Sequence, residues 1–316
     1  AGRQARLFAS GFVSISKKVT LLCVDSTDSD AISNEGFSLY SLENNGDLET
    51  FGKRVREVAA GNNSWIHSHE WIEGANSIRL GDGLHISFLR RMREAANGFQ
   101  QIRFLNYLHR RKLRLERASL LSPQLEVVVS PSTMCADELR SEYPDFCGSL
   151  HVIHNPINER YLNTPLVARR KTSTLNLGFV GSGWRRKGLS FLLRAIAHTG
   201  RDIRLRVAGF DKHARQYHAL ANSLKIQNKI EWLGVQSDLR DFYSGIDVLV
   251  LPAIYEPSGN VVGPCGKRKD GRRCGIWLRG RNWRPLGNRL RALVDRWEEA
   301  DGGLDILVGS GSAPRW

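Results

Sequence analysis

Five cysteines in 316 residues, Cys23, Cys135, Cys147, Cys265 and Cys274, are too few and too scattered for a disulfide scaffold. Their scarcity fits a reducing, cytoplasmic compartment. No apolar run approaches the length of a membrane-spanning helix, no signal peptide is legible, and no unit recurs at a fixed period. No Walker spacing occurs, which removes the commonest phosphate-loop enzymes. The opening AGRQARLF carries no initiator methionine, so a cut N-terminus is expected.

What is present reads as soluble and globular: 41% hydrophobic and 25% charged residues, with length for two domains. The formal net charge of +14 is unevenly spread. Residues 263–316 carry 12 Lys/Arg against 6 Asp/Glu, and residues 85–117 carry nine against two.

Apolar runs alternate with amphipathic segments. KVTLLCVDS, SWIHSH, LEVVVS, LHVIHN, LNLGFVG, IRLRVAG, KIEWLG and DVLVLPA read as strands, several continuously apolar as buried parallel strands are. GLSFLLRAIAHTG and DLRDFYSGID read as helices between them. This alternation predicts an α/β protein with two doubly wound, Rossmann-like domains, joined through the polar stretch Asn163–Thr174. The N-terminal domain is expected over 1–165 and the second over 174–262. Ligands of such sheets bind beyond the C-terminal ends of the strands, so chemistry is expected in loops facing a cleft.

Three strand-end segments carry suitable residues. LGFVGSGWRRKGLSFLLRAI runs strand, glycine turn, cations, helix. Gly181 and Gly183 allow close backbone approach to an anion, the helix N-terminus offers N–H groups, and Arg186 and Lys187 add charge. A solvated basic turn explains the same residues equally well. VLVLPAIYEPSGNVV places Glu256 past a buried strand, followed by the amides of Ser258, Gly259, Asn260 and Val261; a carboxylate beside such amides suits a polyhydroxylated ligand. IHSHEWIEGANSIRLGDGLH offers His67, His69, Glu70 and Asp82. His67 and His69 alternate on a strand, but no third metal ligand has suitable spacing, and a polar contact, a base or a structural histidine are all open.

In this order, NLGFVGSGWRRKGLSFLLRAIAH, IEWLGVQSDLRDFYSGIDVLVLPAIYEPSGNVV, VVVSPSTMCADEL and HVIHNPINERYL resemble glycosyltransferase family 4 of the GT-B fold over about residues 1–262. GANSIRLGDGLH, Ser182 in the glycine turn and the basic segment that follows Asp82 are most similar to lipopolysaccharide core glucosyltransferases. The resemblance implies retaining transfer of a hexose from a nucleotide sugar, UDP-glucose favoured, to a lipopolysaccharide core heptose or related glycan, with no required metal. It implies that Arg186 and Lys187 neutralise the donor diphosphate and that Glu256 lies near the donor sugar. Ser258 to Val261 would hold sugar and phosphate oxygens, and Gly234 and Val235 would meet the base. His69 would contact the sugar, and Asp82 would lie toward the acceptor.

The family's second glutamate falls eight residues after the first, where this chain has Pro264. Residues 263–316 bring Arg-rich sequence and four of the eight tryptophans instead. Codons for Gly263 to Leu278, read one nucleotide later, can encode a helix–turn–strand of the family's kind, so a frameshifted, disordered tail is expected, leaving the second domain incomplete. The first strand and glycine loop of the family are likewise expected to be absent at the start, and the chain to be impaired. The alternative is a non-enzymatic basic protein binding nucleic acid through GKRKDGRRC, with Cys265 and Cys274 as metal ligands. An eight-residue spacer without a nearby histidine makes a poor zinc site, and specific nucleic-acid binding is not expected.

Phe88, Met92, Ala95, Phe99, Ile102, Leu105 and Leu108 recur every three or four residues, predicting one helix over 87–108 with basic residues beside its apolar face. With Arg110, Arg111, Lys112 and Arg114 following, residues 87–117 are expected to bind an anionic membrane surface at the inner face of the plasma membrane.

Overall fold

The computed structural model describes residues 2–15, 18–23, 38–41, 47–96, 106–156 and 174–260, together with 274–277, 288, 291 and 306–307. The chain forms two compact units, one of residues 1–87 and 102–154, the other of 88–101 and 155–316. The expected linker Asn163–Thr174 lies, except for Thr174, outside the described residues.

The first unit contains α1 (Gly2–Ser14), β1 (Thr20–Cys23), β2 (Ser38–Ser41), α2 (Leu48–Gly61), β3 (His67–Ser68) and β4 (Ser77–Arg79). It continues through the start of α3 (His85–Glu94), α4 (Tyr107–Leu120), β5 (Val127–Ser130), α5 (Thr133–Glu142) and β6 (Ser149–Val152). Strands β3-β4-β5-β6 pair in that order, all parallel, and β1 pairs parallel with β2. Ile78, Leu80 and Val128 of this sheet region bury against Phe51 and Val55 of α2 and Leu139 of α5. Helix starts follow the local chemistry. Asp47 accepts the amides of Glu49 and Thr50, Asn106 that of His109, and Ser132 that of Cys135. Strands β2 and β4 escape the sequence reading because each is short and polar at both ends, with no apolar run to mark it.

Asn106 also corrects the single helix expected over 87–108. Its extended backbone and capping side chain start a new helix, as an interior residue cannot, and α3 ends at Glu94. Met92 is buried while Leu108 is 63% exposed, so the apolar stripe does not run on. Phe99, Ile102 and Leu105 lie outside the described residues.

The second unit is built from β7 (Leu175–Val180), α6 (Leu189–Thr199), β8 (Ile203–Ala208), α7 (Ala214–Ser223), β9 (Ile230–Gly234), α8 (Arg240–Ser244) and β10 (Val248–Leu251). The strand order is β12-β11-β10-β7-β8-β9, with β11 (Cys274–Trp277) and β12 (Ile306–Leu307) extending the parallel sheet beyond β10. Alternation along β7 explains its two coats. Leu175, Leu177 and Phe179 pack with Leu189, Leu192, Leu193 and Ile196 of α6, whose i, i+3, i+4, i+7 spacing makes one helical face. On the other side Val180 and Leu249 meet Phe242 and Tyr243 of α8, with Ile246. Gly178 permits that second layer, since a Cβ there would lie 2.5 Å from Ile246 Cδ1. Helices on both faces of a parallel sheet are the doubly wound arrangement expected from the sequence.

The tail departs from expectation at two places. Cys274–Trp277 pairs with β10 and Ile306–Leu307 pairs with Cys274–Gly275, where no regular structure was expected after Val262. Without β11, β10 would present an open edge of backbone groups, a template any extended segment can extend. The Gly266–Arg273 run of the nucleic-acid reading, like Val261, Pro264 and Cys265, lies outside the described residues.

Candidate functional site

The sheet of the second unit reverses direction between β7 and β10: from β7 the chain builds outward through β8 and β9, then returns to the other side of β7. At such a switch point two strand-end loops separate and leave a crevice. Here those loops are Gly181–Gly188 and Pro252–Asn260.

The two loops are tied together by backbone and charge. Ile254 N–H donates to Arg186 O at 2.8 Å, and Arg186 Nη1 donates to Tyr255 O at 2.8 Å and to Glu256 Oε2 at 3.0 Å. Lys187 Nζ reaches the same Glu256 oxygen at 3.2 Å. The Lys187 and Glu256 side chains are 9% and 10% exposed, and that of Arg186 33%. Two cations on one carboxylate leave a net positive charge where solvent is largely excluded. Charge of this kind persists only with partners, and an arriving anion would supply a second one.

Glycine makes the arrangement possible. Gly181 has φ +130°, and a Cβ on it would lie 2.7 Å from Lys187 Cε, so the lysine stem lies across the bare backbone. Gly188 has φ +77°, and its Cβ would fall 1.9 Å from Pro252 O. Trp184 fixes the turn from within: its Nε1–H donates to Gly181 O at 2.9 Å, and its N–H donates to Asp211 Oδ2 at 2.8 Å. The amides that open α6 follow directly.

Beyond Glu256, Ser258 Oγ donates to Asn260 Oδ1 at 2.7 Å, and Asn155 Nδ2 donates to Ser258 Oγ at 2.8 Å and to Asn260 Oδ1. Gly259 at φ +56° bends the segment. Asn155 was not singled out from sequence, although HVIHNPINERYL placed it just after a strand, where such side chains gather. Gly234, at φ +67°, accepts the N–H of Gly209 at 2.7 Å, and Val235 is 75% exposed.

His69 and Asp82 belong to the first unit. Asp82 is exposed on the turn between β4 and α3. His69 is half-buried in a cluster the sequence showed only in part. The pairing of His67 with Ser77 puts His67, His69, Ser77 and Arg79 on one side of β3 and β4. His67 stacks on Phe8 with centroids 5.2 Å apart, and His69 meets both rings edge-on. The buried Arg79 lies 4.9 Å over Phe8 and donates to Ile153 O at 3.1 Å. A guanidinium beside two histidines opposes a metal cation, and among the described residues no group of three metal-ligating side chains forms. Arg79 escaped the sequence reading because nothing in SIRL distinguishes an inward arginine from a solvated one.

Burial, and then Arg79, push His67 down to about 4; burial, then His67 and Arg79, do the same to His69. Both rings are therefore neutral near pH 7. A lowered folded-state value means that the unfolded chain takes up protons first, so stability is whole above about pH 6.5 and is lost as pH falls toward 4. Thermal melts at pH 7, 5.5 and 4 should show this loss, and His67→Asn should flatten it. An identical pH slope in the variant would assign the acid sensitivity to other groups.

Comparison with known proteins places the switch-point loops in context. The model of the family Glycosyl transferases group 1 matches residues 174–263. The lipopolysaccharide core biosynthesis glycosyltransferase LpsE of Rhizobium meliloti is 32% identical over 77 residues, which cover 24% of this chain and 22% of LpsE. The match thus spans about a fifth of that relative's length. Among solved structures, WaaG, a glycosyltransferase involved in lipopolysaccharide biosynthesis, aligns at TM-score 0.68 and 16% identity, over 93% of this chain and 87% of WaaG. A glycosyltransferase from Rickettsia africae aligns at 0.63 and 13%, over 95% and 86%. Anabaena HepE in complex with UDP and glucose aligns at 0.56 and 14%, over 93% and 87%. At these identities the likeness is one of fold, and the fold is GT-B, as the sequence led us to expect.

Proposed function

We propose, from the match of residues 174–263 to the family Glycosyl transferases group 1, that the chain derives its function from transfer of a hexose out of a nucleotide sugar. The observation that carries this reading is the convergence of Arg186 and Lys187 on Glu256 at the switch point of the sheet. In the proposed reaction the donor diphosphate takes the two cations and Glu256 is released to accept hydroxyls of the sugar. As the glycosidic bond breaks, negative charge grows on the leaving diphosphate, where a fixed ammonium and guanidinium stabilise it with little reorganisation. The Ser258–Asn260 segment, braced by Asn155, supplies further polar groups beside the carboxylate. No metal enters the proposed step.

UDP-glucose is the proposed donor, in keeping with the UDP and glucose complex of HepE, and a lipopolysaccharide core or related cell-envelope glycan is the proposed acceptor, in keeping with LpsE and WaaG. The transfer is proposed to retain anomeric configuration. His69 is proposed to meet the sugar and Asp82 the acceptor. With Pro264 in place of a second glutamate, turnover by this chain is expected to be weak while donor binding persists. Calorimetric titration with UDP-glucose tests the reading: binding should saturate and should fall with Lys187→Ala. Absent binding, beside salt-sensitive DNA binding, would defeat it.

A membrane-facing acceptor calls for a membrane-facing enzyme, and α4 offers the means. No described helix is long and apolar enough to cross a membrane. On α4, Tyr107 and Leu108 are 71% and 63% exposed, next to the exposed Arg110, Lys112 and Arg114. Arg111, expected to share this role, instead binds Asp47 and Glu49 within the first unit, and Arg114, though 70% exposed, also reaches Glu49 at 3.6 Å. With anionic lipid adding about 1 kcal/mol per nearby cation, replacing Arg110, Lys112 and Arg114 by Ser should weaken binding to phosphatidylglycerol vesicles roughly 100-fold. Equal binding by the triple variant, or none by the parent at low salt, would make α4 purely structural.

A further inference from the structure

A buried indole N–H takes a hydrogen-bond acceptor, and the acceptor it takes decides what it fixes. Trp184, 3% exposed, takes Gly181 O at 2.9 Å, an oxygen of the residue across which Lys187 lies. The ring that makes this bond is held from outside the turn. It meets Tyr217 of α7 edge-on with centroids 5.3 Å apart and stacks on Trp232 of β9 at 5.5 Å; Trp232 in turn stacks with His218 at 4.1 Å. The Trp184 backbone is tied as well. Its N–H donates to Asp211 Oδ2 at 2.8 Å, and its O accepts the N–H of Leu189 at 3.0 Å, where α6 opens.

One indole bond thereby sets a peptide plane. The Gly181–Ser182 peptide is trans, so its carbonyl and its N–H point in opposite directions. The oxygen faces the indole and Gly209, whose Cβ would fall 2.3 Å from it, so the Ser182 N–H is turned away from both. A Cβ on Gly181 would lie 2.9 Å from Lys187 Nζ, which puts the ammonium within one peptide of that N–H, and Ser182 and Gly183 are exposed. Glycine at φ +130° leaves the plane free to rotate, as a residue with a side chain would not. Rotated by half a turn, the peptide would present its oxygen in place of the N–H. Beside the Lys187 ammonium that oxygen would compete with an arriving anion. The indole N–H opposes this rotation.

We propose that Trp184 is a positioning residue that aims the Ser182 N–H at the anion held by Lys187. This rests on the diphosphate reading of Arg186 and Lys187 and adds the group that keeps the glycine turn in its anion-binding form. The contribution goes to the diphosphate, so it is the same with and without a nucleoside.

The test is calorimetric titration of the 316-residue chain and its variants with inorganic pyrophosphate and with UDP, alongside thermal melting. Trp184→Phe keeps a ring against Tyr217 and Trp232 and loses the N–H; Ser182→Pro removes the amide proton itself. Each should weaken both ligands by roughly tenfold or more, the lower end for one hydrogen bond to a charged group. Since both changes act through one N–H, the double variant should lose no more than Ser182→Pro alone. Trp232→Phe thins the same aromatic cluster but leaves the bond to Gly181, so it should lower Tm and keep pyrophosphate at parental affinity. Parental pyrophosphate binding by Trp184→Phe, additive losses in the double variant, or an equal loss in Trp232→Phe overturns the positioning role. Unchanged binding by Ser182→Pro overturns it as well, whether or not Trp184→Phe folds. A parent chain that binds neither ligand, or binding of both that survives Lys187→Ala, overturns the diphosphate reading and the positioning role with it.

Discussion

In an intact relative with the same glycine turn, the change equivalent to Lys187→Ala should lower donor turnover by about 2–4 kcal/mol of transition-state stabilisation, roughly 30- to 1,000-fold, the scale for removing one preorganised group aimed at growing charge. Lys187 merits this magnitude because its ammonium is almost wholly out of solvent and within 3.2 Å of Glu256 Oε2. Water cannot substitute for it cheaply, and Arg186, with a third of its side chain exposed, is the one cation left on the carboxylate. Loss of a buried charge partner could also loosen the fold, so thermal melting must accompany the assay. The expected pattern is a large fall in kcat and in UDP affinity with a small change in Tm. Arg186→Lys should cost less, since it keeps the charge and loses the forked geometry. Parental kinetics in the Lys187→Ala equivalent would move the diphosphate site elsewhere.

How much of this arrangement was legible beforehand varied with the physics of each element. Strands β7 and β10 are buried on both faces, so their composition alone announces them, and the glycine turn after β7 follows from its residues. Gly181, Lys187 and Glu256 come together at the switch point. Strands β2 and β4 were not legible, because polar short strands owe their conformation to neighbours in the sheet. The break between α3 and α4 was hidden by a periodicity that persists by chance across it, while the real signal was one capping asparagine. Arg79 and Asn155 were missed for a common reason. Each acts through a partner far along the chain, Ile153 and Ser258 respectively, and spacing rules report only near neighbours. Arg111 shows the converse. It read as one of four similar cations, and the position of Asp47 sets it apart, while Glu49 is shared with Arg114.

Among the described glycines of the second unit, Gly188→Ala should be the most damaging single-methyl change, costing roughly 3 kcal/mol or more. Two penalties combine. The residue sits at φ +77°, where an L side chain costs about 1–2 kcal/mol. Its Cβ would also lie 1.9 Å from Pro252 O, a backbone atom that cannot rotate away as a side chain would. Relief requires the Gly181–Gly188 loop and the Pro252–Asn260 loop to separate. That movement strains the Ile254 N–H bond to Arg186 O and draws Glu256 off both cations, so UDP affinity should fall together with Tm. Gly183→Ala is the matched control. Its φ of +69° carries the same backbone penalty, but no atom lies within 4 Å of its added methyl. The control should therefore show only the backbone cost of about 1–2 kcal/mol. Differential scanning calorimetry of the two variants against the parent separates the terms. Gly188→Ala no less stable than Gly183→Ala would mean that the loops yield freely, and that the contact between them does not hold Glu256 against Arg186 and Lys187.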